Sequence, residues 1–335
     1  MDFRTTFTIP SASNKIAHDT GIVSIGSCFS TMIGSRLEKR KFKVLNNPFG
    51  TIFNPISIFK LLQQAITLLP FEEALVVERD HHFFHYDTHS DLNHPQAEGL
   101  MKRLAEQQVL CKEYLSAASH IIITLGTAYV YQMSTTGEIV ANCHKQPQRL
   151  FDKKLLNLDE MKAAFWDFYR PFRALNPSAE IILTVSPVRH LKDGIPENQL
   201  SKSLLRVFVH QMQQEVPHVH YFPSYELMMD DLRDYRYYKE DMIHPTPFAE
   251  QYIWKLFSDT YFDQETIHII RKIESILADL QHKPFHAESK AHQQFLLKLL
   301  QKMEQMGPSF DFSRERDAIN RQLTTKSSHD DSKSQ

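Results

Sequence analysis

Short β-rich runs alternate with longer helical patterns along most of this chain, and that alternation restricts the possible folds more than any other feature. Ile22 to Ile25, Phe42 to Leu45, His120 to Leu125 and Ile181 to Val185 are each followed by a turn and, at once or after an insertion, by a helical pattern; His218 to Phe222 follows a long helix. Between them, apolar residues recur at helical spacing, as in Met161, Phe165, Phe168 and Phe172, or Leu204, Val207, Phe208 and Met212. Units of this kind close by right-handed crossovers onto a parallel sheet covered on both faces. The expected fold is therefore α/β, a three-layer α/β/α sandwich around a parallel five-stranded sheet. Two segments, "EALVVERDHHFFHYD" and "AYVYQMSTTGEIVAN", read as hairpins inserted into this scheme. After residue 262 the pattern is helical only, with Ile267, Ile270, Ile273 and Leu277 on one face and Phe295, Leu299, Leu300 and Met303 on another. The expected division is a main domain over 1–262, a helical extension over 263–323 and a disordered tail over 324–335, where "TTKSSHDDSKSQ" lacks apolar residues.

Composition narrows the function classes. With 335 residues, 42% hydrophobic and 23% charged, the chain can bury a sizeable core. A net charge of -2 and a pI near 6.8 leave no basic field for nucleic acid. No apolar run approaches the ~18 residues of a membrane span, and the N-terminus lacks a secretory pattern. Cys28, Cys111 and Cys143 show no pairing pattern, which fits a reducing compartment. A cytoplasmic location is the expectation, with no nucleic-acid partner and no membrane span.

Candidate chemistry gathers where the strands end. Gly26, Gly50 and Gly126 each follow a predicted parallel strand, the place where open α/β sheets bind ligands. In "GIVSIGSCFSTMIGSRLEKRKF", Ser27 and Cys28 occupy the turn between a strand and a helix, so two nucleophile-capable side chains sit at a helix N-terminus. In "EDMIHPTPFAEQYIWKLF", Asp241 lies three residues before His244. A carboxylate at that spacing can take the Nδ1–H bond and leave Nε2 as the free base.

Taken in order, "GSCFS", "NPFGTIFNP", "LGTAYVY", "NCHK", "SPVRHLKDG" and "DMIHP" resemble the GSCFA domain family, an offshoot of the SGNH (GDSL-type) hydrolases, over roughly residues 20–260. That resemblance implies a flavodoxin-like sandwich and acyl-ester chemistry, hydrolysis or transfer through an acyl-enzyme, on a small-molecule, lipid or carbohydrate ester. It implies Gly50 and Gly126 at the oxyanion hole and Asp241 with His244 as orienter and base. No cofactor or metal is implied. Two departures stand out. The register puts Ser27 where the motif has Asp and Cys28 where it has the nucleophilic Ser, whereas residue type alone points to Ser27; a thiolate at Cys28 would be favoured by the helix N-terminus and by His244. Ala128 stands where the third block has Asn, so the oxyanion hole would rely on backbone N–H groups of the nucleophile loop and Gly50, or borrow Asn54 or Asn142.

Other polar groups have two readings each. The histidine-rich segment from His81 to His94 offers no tetrahedral metal set, and is read as a flap whose His89 or Ser90 contacts substrate. Asn142, His144 and Lys145 are either turn-forming or pocket-lining, and Arg189 with His190 lies at a strand's carboxyl end as a candidate substrate contact. The rival to an enzyme is a binding module that keeps the fold and has lost the chemistry.

Overall fold

The computed structural model describes residues 4–282, 284–286 and 289–324. The chain runs β1 (Gly21–Gly26), α1 (Cys28–Lys39), β2 (Lys43–Asn46), α2 (Pro55–Thr67), β3 (Val76–Arg79), β4 (His82–His85), α3 (Ala97–Ala117), β5 (Ala118–Leu125), β6 (Tyr129–Met133), β7 (Ile139–Val140), β8 (Phe151–Leu155), α4 (Leu158–Leu175), β9 (Glu180–Val185), α5 (Ile195–Glu215), β10 (Val219–Phe222), a short α6 (Ser224–Glu226), α7 (Pro247–Tyr261), α8 (Gln264–Gln281), α9 (Lys290–Gln305) and α10 (Ser313–Thr324).

The central sheet has the order β10-β9-β5-β1-β2 and every pairing in it is parallel. This is the expected sandwich, with β1 between β2 and β5. The alternation of side chains explains the two covered faces. Val23, Ile25, Ile121, Ile123, Ile181 and Leu183 enter one core with Phe59, Phe165, Phe168, Phe172 and Phe208 from α2, α4 and α5. Ile22, Ile122 and Ile182 enter the other with Phe29 and Ile33 of α1 and Trp254 and Phe257 of α7. Burial on both faces is why these strands read as continuous Ile/Val/Leu runs.

The inserted segments form small antiparallel sheets, β3 with β4 and β6 between β7 and β8. Strand β8 is absent from the sequence expectation, because "FDKKL" sets Asp152, Lys153 and Lys154 between its apolar ends and buries only Phe151. On α5 the buried stripe is Leu205, Phe208, Val209 and Met212, while Val207 is exposed, so the expected face is rotated by one residue.

Helices α8 to α10 share a separate apolar cluster of Ile273, Ile276, Leu296, Leu299, Met303, Phe312 and Ile319. They dock on the turn before β2, where Arg40 pairs with Glu274 and Lys41 pairs with Glu315 at 2.7 Å. That turn lies at the amino edge of the sheet, so the extension sits away from the carboxyl ends of the strands. The extension holds three helices, and the last, α10, runs one residue past the expected boundary to Thr324; 325–335 lie outside the described residues. Among the described residues, no helix is long and apolar enough to cross a membrane.

Candidate active site at the carboxyl edge of the sheet

Gly26 ends β1 with φ +136°, and a Cβ there would meet Thr124 O of β5 at 2.2 Å. Only glycine lets the chain turn this close to the neighbouring strand. Ser27 then donates its N–H to Thr124 O at 3.1 Å and stands at the N-cap of α1, buried to 1% exposure. Its hydroxyl makes no cap bond and has no partner, so Ser27 is turned inward without a local side-chain hydrogen bond. Cys28, the first residue of α1, is partly exposed. Burial pushes its thiol upward in pKa, and its own N–H offsets this only in part. The favoured thiolate expected at this helix N-terminus is thus reversed: loss of water outweighs the local donors.

The second loop is stitched to the first by Asn47. Its Oδ1 accepts the Gly26 N–H at 2.8 Å, its Nδ2 donates to Thr31 Oγ1 at 2.8 Å, and its own N–H reaches Ser24 O at 2.7 Å. Gly50, at φ +74°, donates its N–H back to Asn47 O, closing a turn, and a Cβ on it would lie 2.3 Å from His89 Cβ. Ile52 N–H bonds Gly26 O, and Phe53 O accepts from both Gly126 and Thr127 at 2.7 and 3.1 Å. The N–H groups of Gly50 and Gly126, expected at an oxyanion hole, are therefore both engaged inside the protein. In the first turn of α1 the Ser30 N–H bonds Ser27 O at 2.8 Å, while the N–H groups ahead of it belong to a helix N-terminus, an end that in general favours an anion.

Neither borrowed asparagine is free. Asn54 is the N-cap of α2, with Oδ1 accepting from Ser57 N–H at 2.8 Å and Nδ2 donating to Ser57 Oγ at 3.0 Å. Asn142 accepts the His144 N–H at 2.8 Å. His144 is buried to 1% exposure, and its Nε2 lies 2.8 Å from His85 O, an atom that only accepts; the ring proton is on Nε2, and Nδ1 takes the Ser90 hydroxyl at 3.0 Å. Burial drives the His144 pKa down to about 4. It is a neutral rivet between the two insertions, and with Lys145 it adopts positive φ, so these residues form the turn. His89 packs on Gly50 and donates its N–H to Phe49 O at 3.0 Å, which lays the inserted segment along the second loop.

The loop before α7 holds a carboxylate–imidazole pair. Met242 has φ +56°, and the tight turn that results lets Asp241 Oδ1 accept from the N–H groups of Ile243 and His244 at 2.8 and 3.0 Å. Asp241 Oδ2 lies 2.7 Å from His244 Nδ1. These bonds hold the Asp241 carboxyl well below the usual carboxylate range. An ionised carboxylate only accepts, so His244 carries its proton on Nδ1 and presents Nε2 as a base.

Arg189 joins this loop to the end of β9. Its backbone N–H bonds Ile243 O at 3.3 Å, its guanidinium bonds Met242 O at 3.4 Å, and the same guanidinium lies 4.0 Å from the centre of the Tyr238 ring. The next residue, His190, meets Phe53 edge to face at 5.4 Å. Contacts therefore run from Gly26 to Ile52, and from its neighbour Phe53 through His190 and Arg189 to the Asp241–His244 turn. Lys202 was not singled out by the sequence. It is fully buried on α5, and its ammonium donates to Gly126 O and Ser186 O at 2.7 Å each, tying the ends of β5 and β9 together. The signal was there: Lys202 falls on the same helical stripe as Leu205 and Val209.

The model of the GSCFA family matches residues 21–257, and that of the GSCFA domain protein, C-terminal domain, matches residues 273–325. No curated protein matches the chain. The first match spans the whole sheet and each loop described above, and on it the chain belongs to the GSCFA family.

Proposed function

We propose that the protein is an acyl-ester hydrolase or acyltransferase of the SGNH type, acting through an acyl-enzyme on Cys28. The observation that carries this reading is the Asp241–His244 pair, a carboxylate fixed by two backbone N–H groups and spending its other oxygen on Nδ1 of a histidine. This is the arrangement a general base requires. Cys28, partly exposed at the start of a helix, supports it as nucleophile over Ser27, which is buried. Because burial keeps Cys28 a thiol, the base acts during the attack. His244 Nε2 takes the thiol proton as the sulfur bonds the ester carbonyl carbon. The tetrahedral oxyanion collapses, the C–O bond breaks, and the imidazolium returns the proton to the departing alkoxide. Water or an acceptor hydroxyl, deprotonated by His244, then cleaves the thioester and restores the thiol.

A second reading, a binding module retaining the fold, draws on the engaged N–H groups of Gly50 and Gly126 and on Ala128 in place of an amide. Loss of one oxyanion donor costs about 10² to 10³ in rate. Turnover of p-nitrophenyl acetate by the purified protein separates the two. Acyl transfer predicts activity that Cys28→Ala and His244→Ala each remove and Ser27→Ala only weakens. Activity abolished by Ser27→Ala and retained by Cys28→Ala would reassign the nucleophile. Silence of all variants and of the parent, on short and long esters alike, would favour the binding module.

A further inference from the structure

We infer that the cavity beside the Asp241–His244 turn binds a neutral hydroxylated ring, a sugar or sugar-like alcohol, as the alcohol portion of the ester; the word "ester" here rests on the function proposed above, while the binding does not. A cavity of about 570 Å³ opens where the exits of β9 and β10 meet that turn, within the size range of roughly 300–1,000 Å³ usual for small-molecule sites. Arg189 is shared between cavity and turn, since it lines the first and bonds Met242 O and Ile243 O of the second. An occupant would thus lie next to the residues that handle the proton.

The lining decides the class of occupant. Tyr225 and Tyr235 supply aromatic faces, that of Tyr238 being covered by Arg189, and Tyr235 is 67% exposed with the Arg189 guanidinium 5.6 Å from its ring centre. Asp230 adds a carboxylate that accepts from hydroxyls, Asp234 is engaged by the Arg236 N–H and guanidinium at 2.9 and 3.1 Å, and the two balance the charge of Arg189 and Arg233. A fatty acyl chain would leave these carboxylates and Arg189 desolvated against methylenes, which is costly. An anionic headgroup would face the two carboxylates, and the Arg189 guanidinium is already spent on the Tyr238 ring and a backbone oxygen. A neutral ring with hydroxyls on its edge and C–H groups on its face satisfies both kinds of surface.

Saturation-transfer NMR on the Cys28→Ala protein tests this without any turnover, with methyl glucoside, methyl galactoside, octanoate and glycerol phosphate as separate probes. At least one methyl glycoside is expected to bind in the millimolar range. Tyr235→Ala is expected to weaken it about five- to tenfold, the worth of one aromatic face, whereas Tyr235→Phe keeps affinity within about twofold. Tyr235 is exposed, so both variants are expected to fold, and their melting curves check it. Failure of every glycoside to bind overturns the assignment, even if esters are turned over. Octanoate or glycerol phosphate binding that depends on Tyr235 also overturns it. Glycoside binding lost in Tyr235→Ala, in a protein that cleaves no ester, upholds the cavity assignment and removes acyl transfer alone.

Discussion

At the scale of single residues, the site is defined as much by buried polar groups as by the residues that motifs single out. Among the described residues Lys202 has no carboxylate partner; its ammonium has two carbonyl oxygens and lies 5.9 Å from the centre of the Tyr225 ring, and desolvation lowers its pKa to about 7. The unfolded chain, with an ordinary lysine, binds more protons than the folded one between that value and about 10.4. Stability should therefore rise with pH across that window, at a slope approaching roughly 1.4 kcal/mol per pH unit. Urea unfolding at pH 7 to 10 should show this rise in the parent and its loss in Lys202→Met. An unchanged slope in the variant would mean the amine stays charged in the fold. Substitution to methionine also frees Gly126 O and Ser186 O, so a lower ester turnover in that variant would identify Lys202 as a positioning residue for the strand ends.

At the scale of elements, the two glycine turns are the parts of the site least open to change. Gly26→Ala would drive a Cβ into backbone Thr124 O at 2.2 Å, which no side-chain movement relieves, and soluble protein is expected to be lost. Gly50→Ala meets a side chain, His89, at 2.3 Å with φ +74°, so it should fold with a loss of about 1–3 kcal/mol from the strained backbone and the displaced flap. Thermal unfolding of the two variants separates the cases; equal tolerance of both would contradict the close approach of β1 to β5. These turns and the sheet were legible because apolar runs stopping at glycine record a backbone constraint directly. What escaped was written in other terms. The stripe of α5 carries Asn198, Ser201 and Lys202 on its buried side, each satisfied by a loop: His190 N–H, Ala128 N–H and two carbonyl oxygens. Apolar periodicity passes over such residues and so placed Val207 inside. Gly50 and Gly126 were placed at the right edge by the same periodicity, but where their N–H groups point depends on Asn47 and Phe53, contacts that no local pattern encodes.

For the whole molecule, four buried histidines set the response to acid. Burial lowers His85, His120, His144 and His190 to about 4 each. They lie in different places, His120 on β5, His85 and His144 between the insertions and His190 beside Phe53. Each is neutral in the fold and takes a proton on unfolding as pH falls below about 6.5. Stability should drop steeply from there towards pH 4, and His144→Asn should flatten the drop while lowering stability at pH 7, since Ser90 and His85 O lose their shared partner. A stability flat between pH 6.5 and 4.5 would show that these rings reach water. The C-terminal helices, docked at the amino edge through Arg40 and Lys41, stand apart from the carboxyl-edge loops. Arg40→Ala is accordingly expected to loosen those helices, seen as faster hydrogen exchange in α8, without altering exchange in the Asp241–His244 turn.

The central claim, an acyl group carried on Cys28 with His244 as base, is tested most directly by mapping the acyl-enzyme itself. Protein mixed with p-nitrophenyl acetate, quenched in acid and digested should yield a thioester-linked acetyl group on Cys28, removable by neutral hydroxylamine, and its formation should slow sharply in His244→Ala. An acetyl group on Ser27, resistant to that treatment, or ester turnover with Cys28 never acetylated, would contradict the account.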